Sequence, residues 1–325
     1  MAQKILLSGI QATGKLHFGN YFGAIKQNID LANSGEYESY IFIADYHALT
    51  TVKDKKALRT SVLEIAAAYI ACGLDLSKAI LFRQSAVPEH TELTIIFNNV
   101  VTVPFLMRAH AFKDHEAKEK EVNVGLFEYP VLMAADILIY KADVVPVGAD
   151  QKQHIEYARD IAGFYNRAWD VEEFPLPTEY ILDSVAIIPG TDGEKMSKSK
   201  GNVISIFGTD EEVKKAVMGI VTDSAAPDEK KNPDTNNIFN IHKHFLSEGK
   251  IAELRAKFED GGYGYKQAKD DLLATILSWR EGKKKVFDDF MLHPEKIDAI
   301  LEEGGKRARL KARETMDEVR SQVGF

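Results

Sequence analysis

Apolar residues fall along the first half of the chain in short unbroken runs, not in alternation. Lys4-Ile5-Leu6-Leu7-Ser8-Gly9, Ser39-Tyr40-Ile41-Phe42-Ile43-Ala44-Asp45, Lys78-Ala79-Ile80-Leu81-Phe82-Arg83-Gln84 and Ala142-Asp143-Val144-Val145-Pro146-Val147-Gly148 each read as a strand covered on both faces. Helical spacing takes over between them: His17 to about Gly35, Asp54 (a cap) to Gly73 (a stop), about Glu89 to Val100, about Leu126 to Tyr140, and Gln151 to about Arg167. Strands alternating with helices imply right-handed crossovers and an α/β, doubly wound parallel sheet, Rossmann-like in class. Sites in such sheets gather at the carboxyl ends of strands, where Gly9, Asp45, Gln84 and Gly148 fall.

Beyond about Asp210 the strand signal stops, and Asp210–Ile220, Ile251–Phe258, Gln267–Arg280 and Lys306–Val323 carry helical patterns. The expected division is a catalytic sheet domain over 1–207, a smaller all-helical domain over 208–300, and a terminal helix over 301–325 packing back on the first.

Composition narrows the class. One cysteine, Cys72, on an apolar stretch, excludes an internal disulfide and a cysteine-based metal cage. No protein-held metal is expected. Met1-Ala2-Gln3-Lys4 leads straight into the first strand and no apolar run nears the ~20 residues of a membrane span, so the expectation is a cytoplasmic protein without a membrane partner. A net charge of −8 argues against a non-specific DNA binder. Two basic patches remain, Arg280 with Lys283-Lys284-Lys285, and Lys306 to Arg313; each fits a solvated helix face or an RNA contact.

Candidate chemistry lies in two motifs about 180 residues apart. Lys195-Met196-Ser197-Lys198-Ser199 sits in a polar segment flanked by Gly190, Gly193 and Gly201. Two lysines three apart on a loop can close over a polyphosphate and neutralise charge that grows as a phosphorus–oxygen bond breaks. Upstream, His17-Phe18-Gly19-Asn20 opens a helix after the first strand. His17 and Asn20 share a face at a helix N-terminus and can reach phosphate oxygens, and Gly19 leaves room for a nucleotide against the backbone. Gly9 to Lys15 also fits the first seven places of a P-loop, but Leu16 stands where Ser or Thr must hold Mg²⁺.

The pentapeptide matches the second signature of class I aminoacyl-tRNA synthetases letter for letter, and His17–Asn20 matches the first with Asn in the last place. With Ser8-Gly9-Ile10-Gln11, Gly19 to Ala24, Tyr129 to Ile137 and Val145 to His154, the chain resembles the tryptophanyl-tRNA synthetases of bacterial type nearly end to end. That resemblance implies ATP-dependent activation of tryptophan and transfer to the terminal ribose of its tRNA, a homodimer, and a Mg²⁺ carried on the ATP. It also implies that Gln11, Ala12 and Thr13 line the ATP site above Gly19 and Asn20. Gly148, Ala149 and Asp150 would meet the ribose, Ile187 the adenine, and His47 and Gln151 the amino acid; His47 fits equally a satisfied structural histidine. Where relatives often place a phosphate-reaching Lys, this chain has His115, with Lys113 nearby.

Tryptophan has an argument of its own. Tyr129, Met133, Asp136 and Tyr140 lie at i, i+4, i+7 and i+11, on one helix face. A stripe of this kind is commonly core, but a carboxylate on it must find a donor. An indole N–H, a donor only, suits Asp136, with Met133 as a polarizable wall. Tyrosyl enzymes usually carry Gln where Met133 stands. Two other classes share parts of the pattern: a small-molecule adenylyltransferase, which needs neither the helical region nor the stripe, and a silent RNA-binding paralogue, against which the intact signatures argue.

Overall fold

The structure, a computed structural model, describes residues 3–12, 14–109, 123–147, 152–181 and 188–325. Its sheet has five parallel strands, β1 (Lys4–Gln11), β2 (Tyr37–Ala44), β3 (Ala79–Arg83), β4 (Val144–Val147) and β5 (Thr178–Ile181), in the order β3-β2-β1-β4-β5. The order reverses between β1 and β4, the switch point at which such sheets bind ligands beyond their carboxyl ends. Four strands lie where the apolar runs foretell. The fifth, a strand of only four residues at the sheet edge directly after Pro175-Leu176-Pro177, carries no run to read.

By its contacts the chain forms two compact units, one of residues 1–14, 28–183 and 290–325, the other of 15–27 and 184–289. The contacts therefore divide nearer 183 than the expected 207, and the segment around His17 joins the helical unit. A backbone pairing explains this: Phe18 N–H donates to Ile204 O (3.1 Å), Ile206 N–H to Leu16 O (3.2 Å), and His17 bridges Ser205 antiparallel.

In the sheet unit, β2 is buried from Ser39 to Ala44, as a strand covered on both faces must be. Helices α1 (Phe18–Asn20) and α2 (Lys26–Asn33) fall between β1 and β2 in the chain, and α3 (Asp45–Ala48), α4 (Lys55–Ala71), α5 (Glu89–Asn98), α6 (Val103–Leu106), α7 (Val124–Leu138) and α8 (Lys152–Trp169) connect the later strands. Asp54 caps α4 by accepting from Ala57 N–H at 2.6 Å, and Asn123 caps α7 through Leu126 N–H at 2.9 Å. A terminal helix (Pro294–Val323) lies on β3 so closely that a methyl group on Gly304 would sit 1.9 Å from Leu81 O. Its Ala308, Ala312, Met316 and Val319 join one core cluster with residues of β3, α5, α7 and α8.

In the helical unit, the stretch after His17 is a helix at Phe18–Asn20 that passes through a π turn, Tyr21–Ile25; the helix continues as Lys26–Asn33, most of which belongs to the sheet unit. Helices at Asp210–Met218, Asn237–His242, Glu248–Asp260 and Tyr265–Leu292 follow. Ile238, Phe239, Phe258, Leu272 and Ile276 form the core. Phe18 packs edge-on against Phe245 and Trp279 (centroids 4.9 and 5.5 Å), and Tyr21 against Trp279 (4.9 Å). The first signature is thus clamped to this unit by aromatic burial.

Candidate active site

The His17–Asn20 and Lys195–Ser199 motifs both lie in the helical unit. His17 is extended (φ −127°) and its backbone N–H donates to the Asn20 Oδ1 at 3.2 Å, which turns the Asn20 amide nitrogen outward from that bond. Gly19 is where the two signatures touch: a methyl group there would sit 3.0 Å from both the Nδ1 of His17 and the Cβ of Met196. Burial, with the charge of Lys198 added, pushes the His17 imidazole down to about 4, so at neutral pH it offers one N–H and no charge. Positive charge at this place comes from Lys195 and Lys198, both exposed, on either side of the buried Met196.

The lysine loop is held by a residue that the motif does not include. Asn202, 3% exposed, accepts Ser197 N–H at 2.7 Å and donates to Asp192 Oδ1 (2.8 Å) and Lys195 O (3.2 Å). Gly190 makes room for it, since a methyl group there would lie 2.5 Å from the Asn202 amide. Gly201 (φ +67°) turns the chain in the left-handed conformation that glycine adopts freely. Ser197 and Ser199 hydroxyls lie 2.9 Å apart, and Lys200 pairs with Glu194. A cavity of about 340 Å³ opens beside Lys195 and is lined also by Asn237, Asn240 and Lys243.

The helix stripe lies in the sheet unit. Tyr129 and Met133 are half-buried, whereas Asp136 is fully buried. Tyr140 is just past the end of α7, buried too. The Asp136 carboxylate takes four hydrogen bonds from three side chains: Gln84 Nε2 at 2.8 Å on Oδ1 and 2.9 Å on Oδ2, His47 Nε2 at 2.8 Å on Oδ2, and His90 Nδ1 at 2.5 Å on Oδ1. Burial works to raise this carboxyl, but the hydrogen bonds from His47 and His90 outweigh it and hold it below the usual carboxylate range. Tyr129 presents its hydroxyl 2.5 Å from His154 Nε2, and burial pushes that hydroxyl up to about 12.

Gln11 ends β1 with its amide donating to His47 O at 3.2 Å, and Ala12 is buried behind it. A cavity of about 830 Å³ reaches His47, Tyr129 and Leu132, with Thr94, Pro88 and Glu128 on its walls; Met133 and Asp136 do not line it. Thr13, Gly148, Ala149, Asp150, Gln151 and Ile187, and likewise Lys113 and His115, lie outside the described residues.

Three residues of these arrangements escape the sequence reading. Gln84 was visible only as a strand end, Asn202 only as a polar neighbour of the pentapeptide, and His90 gave no signal. The basic patches also change character. Arg280 is 1% exposed and donates to Ile206 O (3.0 Å) and to Asp210, and so is no surface charge. Lys284 pairs with Asp288, Lys285 with Glu281, and Arg309 and Arg313 with Glu89.

A doubly wound parallel sheet, with a His-x-Gly-Asn helix start packed on a Lys-Met-Ser-Lys-Ser loop, defines a class I aminoacyl-tRNA synthetase. The model of the family described as "tRNA synthetases class I (W and Y)" matches residues 2–278, and the chain belongs to that family. The chain is 49% identical over 319 residues to the tryptophan–tRNA ligase of Fusobacterium nucleatum, covering 98% of this chain and 97% of that one. With the tryptophan–tRNA ligase of Rhodopirellula baltica it shares 43% identity, over 98% of this chain and 99% of the relative. The crystal structure of the tryptophanyl-tRNA synthetase from Campylobacter jejuni complexed with ADP and tryptophan superposes with a TM-score of 0.93 at 41% identity, covering 98% of this chain and 99% of the other. Among the described residues, no helix is long and apolar enough to cross a membrane.

Proposed function

We propose that the chain is a tryptophan–tRNA ligase: it activates L-tryptophan with ATP to tryptophanyl-adenylate, releases pyrophosphate, and transfers tryptophan to the 3′-terminal ribose of its tRNA. The observation that carries this reading is the packing of the two signatures, Gly19 against Met196 and His17 beside Lys198.

The tryptophan carboxylate attacks the α-phosphorus in line and pyrophosphate departs. No side chain need become covalently attached, because positioning and charge stabilisation carry the step. Lys195 and Lys198 neutralise the departing phosphates, and Ser197 and Ser199 add hydroxyl donors. His17 donates one neutral hydrogen bond and Asn20 another from its free amide edge. Neutral His17 serves here because a cation beside two lysines would cost more than it returns. The ATP arrives with its own Mg²⁺.

Gln11, Ala12 and Thr13 line the ATP site with Gly19 and Asn20. Gly148, Ala149 and Asp150 meet the ribose and Ile187 the adenine. Asp136 accepts the indole N–H, with Met133, Tyr129, His47 and Gln151 around the amino acid. A site that must bond its substrate's N–H rejects analogues lacking it strongly, by ~10⁴–10⁵ in the best cases. The helical region 208–300 serves the anticodon side of the tRNA, and the protein acts as a cytoplasmic homodimer.

ATP–pyrophosphate exchange across the twenty amino acids, followed by charging of total tRNA, tests the reading. Exchange with tryptophan alone and one charged tRNA species are expected. Exchange strongest with tyrosine, or none with any amino acid, would overturn it.

A further inference from the structure

A carboxylate offers about four lone-pair directions, and those of Asp136 are all taken. Two partners, Gln84 and His90, are fully buried, and His90 is boxed by the rings of Phe42, Phe82 and Tyr140, at centroid distances of 6.3, 6.5 and 5.5 Å. The fourth direction differs. It belongs to His47 on Oδ2, whose side chain is 13% exposed and which borders the open cavity. An indole N–H that reaches Asp136 must therefore take the place held by His47, while the Oδ1 side stays fixed.

We propose that His90 is a specificity-determining positioning residue: its Nδ1–H fixes Asp136 Oδ1 so that Oδ2 alone is presented to the indole N–H. The inference rests on the reading of Asp136 as the indole acceptor. His90 is itself oriented, since Tyr140 Oη lies 2.8 Å from Nε2. Burial and the charge of Asp136 push the Tyr140 hydroxyl well above its ordinary range, so it keeps its proton and donates it to Nε2. That bond assigns the hydrogen of His90 to Nδ1, as Asp136 requires. The helix beneath is pinned as well. Glu89, the preceding residue, takes Arg309 Nε at 2.8 and 3.0 Å and Arg313 Nε at 3.2 Å, and Glu92 takes Arg320 at 2.8 and 2.6 Å. The terminal helix thus holds the first turn of α5, α5 holds His90, and His90 holds the carboxylate. A carboxylate relieved of its Oδ1 donor would rotate or reach for another donor, and the discrimination would go with it.

The test compares tryptophan with benzothienylalanine, in which sulfur replaces the indole N–H, by kcat/KM in pyrophosphate exchange. In His90→Leu the tryptophan preference should fall about tenfold or more through the KM for tryptophan, with the KM for ATP within about twofold. His90→Asn, whose amide nitrogen can stand where Nδ1 stood, should recover most of the preference. Asp136→Ala is the control for the underlying reading. If it abolishes the preference while His90→Leu leaves it intact, the role of His90 is overturned and Asp136 stands. If Asp136→Ala also leaves it intact, the reading of Asp136 falls and the inference with it. Equal losses for both substrates in His90→Leu and His90→Asn mean a structural role only, which also overturns the proposal. Should His90→Leu not fold, Tyr140→Phe decides: a preference lowered about threefold at unchanged kcat supports the relay, and an unchanged preference overturns it.

Discussion

Asn202 accepts the backbone N–H of Ser197 at 2.7 Å from a site only 3% exposed, and so ties the middle of the lysine loop to the turn that follows it. The same side chain reaches Asp192 and Lys195 O, and so joins the start of the loop to the turn that closes it. Replacing it with Ala leaves buried groups without partners, at ~1–3 kcal/mol. Asn202→Ala should lower kcat for pyrophosphate exchange about 10–100-fold, with the KM for tryptophan within about threefold. Steady-state kinetics would contradict this by showing the loss in the tryptophan KM instead.

Acid should weaken the helical unit through its histidines. His17, His242 and His244 are each lowered to about 4 from 6.5, chiefly by burial, with Lys198, Lys257 and Lys243 adding to it respectively. The unfolded chain takes up these protons below pH 6.5 and the folded one does not, so stability is full above 6.5 and falls as the pH drops toward 4. Urea unfolding between those limits should show a free energy that declines with falling pH. His244→Phe, which keeps a ring against Phe22, should lessen the slope by about one proton. A free energy independent of pH in this window would refute the assignment.

Gly304 lets the terminal helix approach the backbone of β3. A Cβ there would meet Leu81 O at 1.9 Å, and neither backbone can yield cheaply. Gly304→Ala should therefore cost about 1–3 kcal/mol or more in chemical unfolding, despite the higher helix propensity of Ala. An unchanged or raised midpoint would show that the helix can lift from the strand without loss.

Arg280 joins the long helix Tyr265–Leu292 to the segment that pairs with the first signature. Its Nη1 donates to Ile206 O, and Ile206 N–H in turn donates to Leu16 O. Arg280→Met keeps the bulk but leaves the buried carbonyl unsatisfied. A loss of about 1–3 kcal/mol in stability is expected, with a raised KM for ATP. A variant as stable as the parent, with unaltered ATP kinetics, would exclude this link.

Much of this molecule was legible because its strands are buried on both faces and so appear as unbroken apolar runs. The cap at Asp54 and the two signatures are likewise local features of the chain. What stayed hidden depends on pairing across distance. Nothing around Leu16 indicates that it bonds to Ile206, which is why the unit boundary was expected at 207. The edge strand Thr178–Ile181 is too short to have a period. His90 stands in an ordinary helix start, and only the fold brings it 46 positions along to Asp136. The stripe from Tyr129 to Tyr140 was visible, but not that it runs from a half-open end to a closed one.

The central claim is a division of labour: the lysine loop and His17 act on phosphates, and Asp136 on the indole. Tryptophan-dependent ATP–pyrophosphate exchange of Lys195→Ala and Asp136→Ala, measured as kcat and both KM values, tests it most directly. Lys195→Ala should lose about 100-fold or more in kcat with little change in the KM for tryptophan, and Asp136→Ala should raise the KM for tryptophan far more than that for ATP. Exchange undiminished in Lys195→Ala, or equal losses toward tryptophan and ATP in Asp136→Ala, would contradict the account.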